Sequence, residues 1–191
     1  MKKISLIVSL QFCFILLLTA ASWAFPFIHG PYKIVKDNDI IISLAVGNPE
    51  ELEAAIRSGV EKEIIYTIEL LRVWNFWPDE FVVSKKVIRT VKYDNLREHY
   101  RITSMNGINR SDTVVKADSS LKKAIFSVEA VNLVNVKELL PGMYYIRAIV
   151  ETKSIEQYPI IGFVMHFIPE SEMTLAKESE PFLVEASFEK P

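Results

Sequence analysis

The sequence predicts a mainly β fold, an antiparallel β-sandwich with two short helices and an immunoglobulin-like version among the candidates. Three observations predict it. Apolar and polar residues alternate over several stretches, the period-two pattern of strands with one buried face. Turn residues separate those stretches, at Asn75–Glu80 with Pro78, at Asp94-Asn95, at Met105-Asn106-Gly107 and at Leu139-Leu140-Pro141-Gly142. Helical spacing is confined to two short segments.

In chain order, residues 25–38 read as an extended entry segment, because Pro26, Gly30 and Pro31 forbid a helix there. Asp39–Val46 is the first strand, and the domain is taken to run from 39 to 191. Asn48-Pro49-Glu50-Glu51 then starts a helix, with Asn48 as cap and Pro49 at the first helical position. Leu52, Ala55 and Ile56 share one face, and Gly59 ends it. Val60–Trp74 is a long strand in which Ile64, Tyr66, Ile68 and Leu70 alternate inward, while the opposite parity is half polar. Phe81–Tyr93 returns as its hairpin partner, with Lys85 and Arg89 as exceptions on the buried parity.

Glu98–Thr103 and Ile108–Lys116 follow as shorter strands. Asp118 is positioned to cap a second helix carrying Leu121, Ala124, Ile125 and Val128. Met143–Thr152 is a clear strand, and Gly162–Ile168 and Phe182–Phe188 complete the set, with 169–181 irregular between them. Leu139, Pro141, Gly142 and Tyr145 match the spacing of a tyrosine corner, although the apolar alternation runs through Tyr144.

Residues 1–24 have the order of an export signal. Lys2 and Lys3 precede an apolar run from Ile4 to Thr19, and Ala20–Ala24 supplies small residues around Trp23. Cleavage is expected near Ala24, giving a periplasmic or secreted protein of a Gram-negative bacterium. The alternative is an inner-membrane anchor left uncleaved, but a spanning helix needs about 20 apolar residues and this run is shorter. Cys13, the only cysteine, lies inside the signal, so the exported chain must fold without disulfides. The net charge of −2, with cations spread along the chain, argues against nucleic acid as a partner.

Ser58-Gly59-Val60, Tyr66 with Glu69-Leu70, the run from Trp74 to Trp77 with Asp79-Glu80, and Tyr100-Arg101-Ile102 form a recurring pattern. In these features the stretch 40–102 resembles the exported bacterial proteins grouped as domain of unknown function 4390. The sequence departs from that pattern at Glu61, Asn75 and Phe76. The resemblance implies export and a β-rich fold, and it implies no activity. It also points to an envelope protein as partner, with a membrane sensor among the candidates.

The candidate site is the hairpin tip: Trp74, Phe76 and Trp77 beside Asp79 and Glu80. Aromatic side chains at a loop serve as a partner-binding anchor or a membrane-surface toe. The competing reading is that they pack on the sheet end and cover the core. Asp79 and Glu80 could form an acid–base pair only if the turn brought them to one face, since neighbours on a strand point to opposite sides.

No catalytic residue and no metal ligand set is expected. His29, His99 and His166 lie on separate segments at no ligand spacing. No cofactor-binding motif is present. The leading expectation is a non-enzymatic binding or adaptor domain of the envelope. The alternatives are a carrier of an apolar ligand or lipid in a sandwich cavity, and an enzyme assembled from scattered polar residues. The sequence does not set the oligomeric state.

Overall fold

The computed structural model describes residues 25–116, 119–155 and 172–185. The expected signal at 1–24, the Asp118 cap, the strand at 162–168 and His166 lie outside these residues. What is described is mainly antiparallel β, arranged as two sheets with two short helices.

The smaller sheet is β1 (Phe27–Lys36), β2 (Asp39–Gly47) and β7 (Ser127–Asn135), in the order β1-β2-β7. The larger holds β3 (Lys62–Arg72), β4 (Glu80–Asp94), β5 (His99–Asn106), β6 (Asn109–Lys116), β8 (Gly142–Ser154), β9 (Met173–Glu178) and β10 (Phe182–Val184). Its order is β10-β8-β3-β4-β5-β6, with β9 also paired to β8. Helix α1 is Glu50–Arg57 and α2 is Ser119–Phe126. The sheets therefore hold three and seven strands, where immunoglobulin constant domains divide four and three.

Alternation makes the core. Ile40, Ile42, Leu44 and Val46 of β2 meet Ile64, Tyr66, Ile68 and Leu70 of β3 and Tyr144, Ile146, Ala148 and Val150 of β8 in one buried cluster. Side chains two apart share a face, so each strand contributes every second residue. Tyr66, Tyr100 and Tyr144 are the largest fully buried side chains.

Several expectations are corrected. Residues 25–38 are not a mere entry segment: Phe27–Lys36 is a strand paired with β2, and Ile28 is in the core. Pro31 is tolerated because the pairing shifts register between His29 and Tyr32. Asn48 does not cap α1. It sits at φ +51 and donates to the carbonyl of Phe25 (3.4 Å), while Pro49 holds the cap position. The second helix ends at Phe126, and Val128 belongs to β7. The span 172–181 contains β9.

Arg89 stays on the inner face, as its parity requires, and its Nη1 is bonded there by a helix end, while its buried Nε has no hydrogen-bond partner among the described residues. Its Nη1 donates to the carbonyls of Ala124 (2.8 Å) and Ile125 (3.1 Å), and the Tyr66 hydroxyl donates to Ile125 (2.9 Å). Last-turn carbonyls have no partner within their own helix, so β3 and β4 close α2. Burial pushes the Tyr66 hydroxyl up and the Arg89 guanidinium down, and each partly offsets the other's shift.

Candidate functional site

The β3–β4 hairpin ends in the sequence Val73-Trp74-Asn75-Phe76-Trp77-Pro78-Asp79. Pro78 and the polar neighbours interrupt pairing, and the aromatic residues fall beyond the last paired residues, Arg72 and Glu80. Among the described residues no second layer covers them past the end of the sheet. Phe76 is 94% exposed, Trp77 76% and Trp74 47%. At about 200 Å² per aromatic side chain, the three leave roughly 400 Å² in water, within the size of the largest apolar patch on a typical monomer. The alternative that they cover the core does not hold for Phe76 and Trp77.

The turn is held by its carboxylates. Asp79 Oδ1 accepts from the backbone N–H of Trp74 (3.2 Å), and its Oδ2 accepts from the Tyr145 hydroxyl (2.9 Å). Glu80 Oε2 accepts from the Trp74 indole N–H (3.2 Å) and lies 3.8 Å from Arg72 Nη1. Arg72 also donates to the carbonyl of Pro141 (2.9 Å), and its guanidinium lies 5.4 Å from the Trp74 ring centre.

The two acids point to opposite faces. Register puts Arg72 opposite Tyr144, on the core side, and Leu71 opposite Tyr145, on the outer side. Asp79 therefore reaches the outer face and Glu80 the inner one. They do not converge on a common substrate position. Each is an anchor of the loop.

Tyr145 leads further. Its oxygen accepts from Arg147 Nη2 (3.2 Å), whose Nε donates to Glu178 (2.9 Å) and whose Nη1 lies 3.7 Å from Glu69. The tip is thus tied through β8 to β9. Burial and the bond to Asp79 hold the Tyr145 hydroxyl above its ordinary pKa, which keeps it a donor. Tyr144, not Tyr145, makes the bond of a tyrosine corner, donating to the carbonyl of Leu140 at 2.6 Å.

The pattern of the sequence locates Trp74, Phe76, Trp77, Asp79 and Glu80 together, and the structure keeps them together. It misses Arg72, Tyr145 and Arg147 as their supports. Tyr145 carried a signal, since it is a large aromatic residue on the outward parity of its strand, where its hydroxyl finds a partner on the other face.

A family model described as a domain of unknown function (DUF4390) matches residues 36–161. The chain belongs to that family. No curated protein and no solved structure matches the chain. The DUF4390 span runs from the last residue of β1 to beyond β8 and includes the whole hairpin tip with Tyr145 and Arg147, whereas β9 and β10 lie outside it.

A second concavity lies at the other end of the sheets. It measures about 400 Å³ and is lined by Phe25, Val46, Leu52 and Met173, with Lys62 and Thr152 as buried polar groups. Lys62 Nζ donates to Ser154 Oγ (2.7 Å) and is ion-paired with Glu172, whose carboxyl it holds below the usual range. His29 packs against Phe27, with ring centres 4.5 Å apart. Among the described residues no three His, Cys, Asp or Glu side chains gather as a metal site, and no helix is long and apolar enough to cross a membrane.

Proposed function

We propose that the chain is an exported, non-enzymatic binding or adaptor domain of the cell envelope, and that it engages its partner with the aromatic hairpin tip. The observation that carries this reading is the pairing of exposure with order. Phe76 and Trp77 face water, yet the turn beneath them is fixed by Asp79, Glu80, Trp74 and Tyr145. A pre-ordered aromatic anchor loses little conformational entropy on binding, and tryptophan and tyrosine dominate interface energetics. The use of both carboxylates as loop anchors supports a binding role over an acid–base one. Export is supported by the basic, apolar and small-residue order of residues 1–24.

The test is capture from envelope extract under mild crosslinking, with wild type beside Phe76→Ser/Trp77→Ser. Wild type should retain a species that the folded double variant loses. Equal capture by both would remove the tip from the account. The carrier reading draws on the 400 Å³ cleft, but the ion pair of Lys62 and Glu172 at its polar wall favours an apolar guest less. Co-purified lipid in native mass spectra would revive it.

A further inference from the structure

The outer face of the large sheet carries a second apolar group beside the tip. Phe81 pairs with Leu71, and Leu71 with Tyr145. Met143, two residues from Tyr145 and so on the same face, pairs with Leu183. Leu71 and Tyr145 are covered, but Phe81, Leu183 and Met143 are 57%, 61% and 41% exposed. Among the described residues no strand of the smaller sheet packs on this face, since the shared core lies on the opposite parity. At about 200 Å² per large side chain, tip and band together leave roughly 700 Å² in water. A standard protein interface takes about 800 Å² from each partner.

Among the described residues the charge around this band is predominantly negative. Asp79, Glu178, Glu180 and Glu185 are exposed around it, and Glu80 is exposed on the inner side of the tip. The described cations beside it are ion-paired, Arg147 with Glu69 and Glu178 and Arg72 with Glu80, which leaves Asp79, Glu180 and Glu185 as the rim acids outside these ion pairs. An anionic lipid surface repels such a rim, and a second copy would set carboxylates against carboxylates. A protein surface edged by cations is attracted by it and guided into register.

We propose that the aromatic tip and the band of Phe81, Met143 and Leu183 dock, inside their carboxylate rim, into an apolar recess of a partner protein edged by lysine and arginine. This rests on the binding reading above and adds the chemistry of the partner. The apolar contact supplies affinity, and the rim supplies the rate and orientation of approach.

The test uses the full chain in living cells, with photo-reactive p-benzoylphenylalanine in place of Phe76 and, as control, in place of Lys86 on the same face away from the band. Irradiation should give a protein adduct from position 76 only, with the crosslinked peptide beside lysine and arginine. Its yield should fall about fivefold in Glu180→Lys/Glu185→Lys, a change that leaves the Arg147 network intact. Circular dichroism confirms that this variant is folded, and Glu180→Gln/Glu185→Gln gives a second, milder step in the same direction. A lipid adduct, an adduct with a second copy, or a protein adduct indifferent to the charge changes overturns the inference while sparing the binding reading. No adduct from position 76 above the control overturns both.

Discussion

The hydroxyl of Tyr145 donates to Oδ2 of Asp79 at 2.9 Å, joining the start of β8 to the turn that displays Phe76 and Trp77. The same turn is fixed from its other side by Glu80, through the Trp74 indole and Arg72. A loop braced from both faces of a hairpin keeps its shape without burying its aromatic residues.

Removing that brace should loosen the tip more than the domain. Tyr145→Phe deletes two hydrogen bonds, the one donated to Asp79 and the one accepted from Arg147, a loss of about 1–2 kcal/mol. The unfolding temperature should drop by only roughly 2–4 °C per kcal/mol for a domain of this size. Once residues 1–24 are removed, Trp74 and Trp77 are the only tryptophans, so fluorescence reports the tip alone. Acrylamide quenching should rise in Tyr145→Phe. Unchanged quenching would mean that Asp79 and Tyr145 do not hold the turn.

The neighbouring tyrosine should behave oppositely. Tyr144 is buried, and its hydroxyl closes the chain reversal before β8 by bonding the Leu140 carbonyl at 2.6 Å. Tyr144→Phe should cost about 1 kcal/mol in urea unfolding and leave the tryptophan quenching as in wild type.

Arg89 is predicted to matter for stability alone. Its guanidinium bonds the Ala124 and Ile125 carbonyls from beneath α2, where water has little access. Arg89→Met keeps the apolar stem and removes charge-assisted bonds worth about 1.5–3 kcal/mol each in comparable settings. Because the substitution also removes the buried Nε that has no partner, part of that cost is offset, and a loss of roughly 2 kcal/mol is expected in urea unfolding. Partner capture by the folded fraction should be unaffected, which separates this buried polar group from the site.

The ion pair of Lys62 with Glu172 sets a pH dependence. Its hydrogen bond from Lys62 lowers the Glu172 carboxyl in the folded state. A depressed acid contributes stability that is present above its unfolded pKa, in the ordinary carboxylate range, and is lost as pH falls through the folded value. Wild type should therefore lose stability on acidification below that range, by more than Glu172→Gln does over the same interval. Parallel acid curves for the two proteins would show that the pair does not contribute.

Much of the fold was legible because alternation in β3 and β8 is nearly unbroken, and because the hairpin turn concentrates Pro78 with polar neighbours. The hidden strands had physical reasons for being hidden. In β7 the buried residues are Val128, Val131 and Leu133, a spacing of three and then two. Ala130 sits between them at φ +54, where the pairing with β2 shifts register, so a bulge mimics one helical step. In β1 the Gly30-Pro31 pair reads as a breaker, but the strand absorbs it in a register shift. β9 is a mostly exposed strand of six residues in which Lys177 breaks the short alternation of Met173 and Leu175. At the site, the aromatic residues and acids were readable as a cluster. Their roles were not, because the partners of Asp79 and Glu80 come from a strand more than sixty residues away and from the residues that precede the turn.

The urea unfolding midpoint of Phe76→Ser/Trp77→Ser, followed by far-ultraviolet circular dichroism, tests the account most directly. Side chains displayed for contact contribute little to folding, so the midpoint should stay within about 0.5 kcal/mol of wild type. A loss of about 3 kcal/mol or more, the cost of truncating buried aromatic residues, would show that the tip belongs to the core and contradict its role as a docking surface.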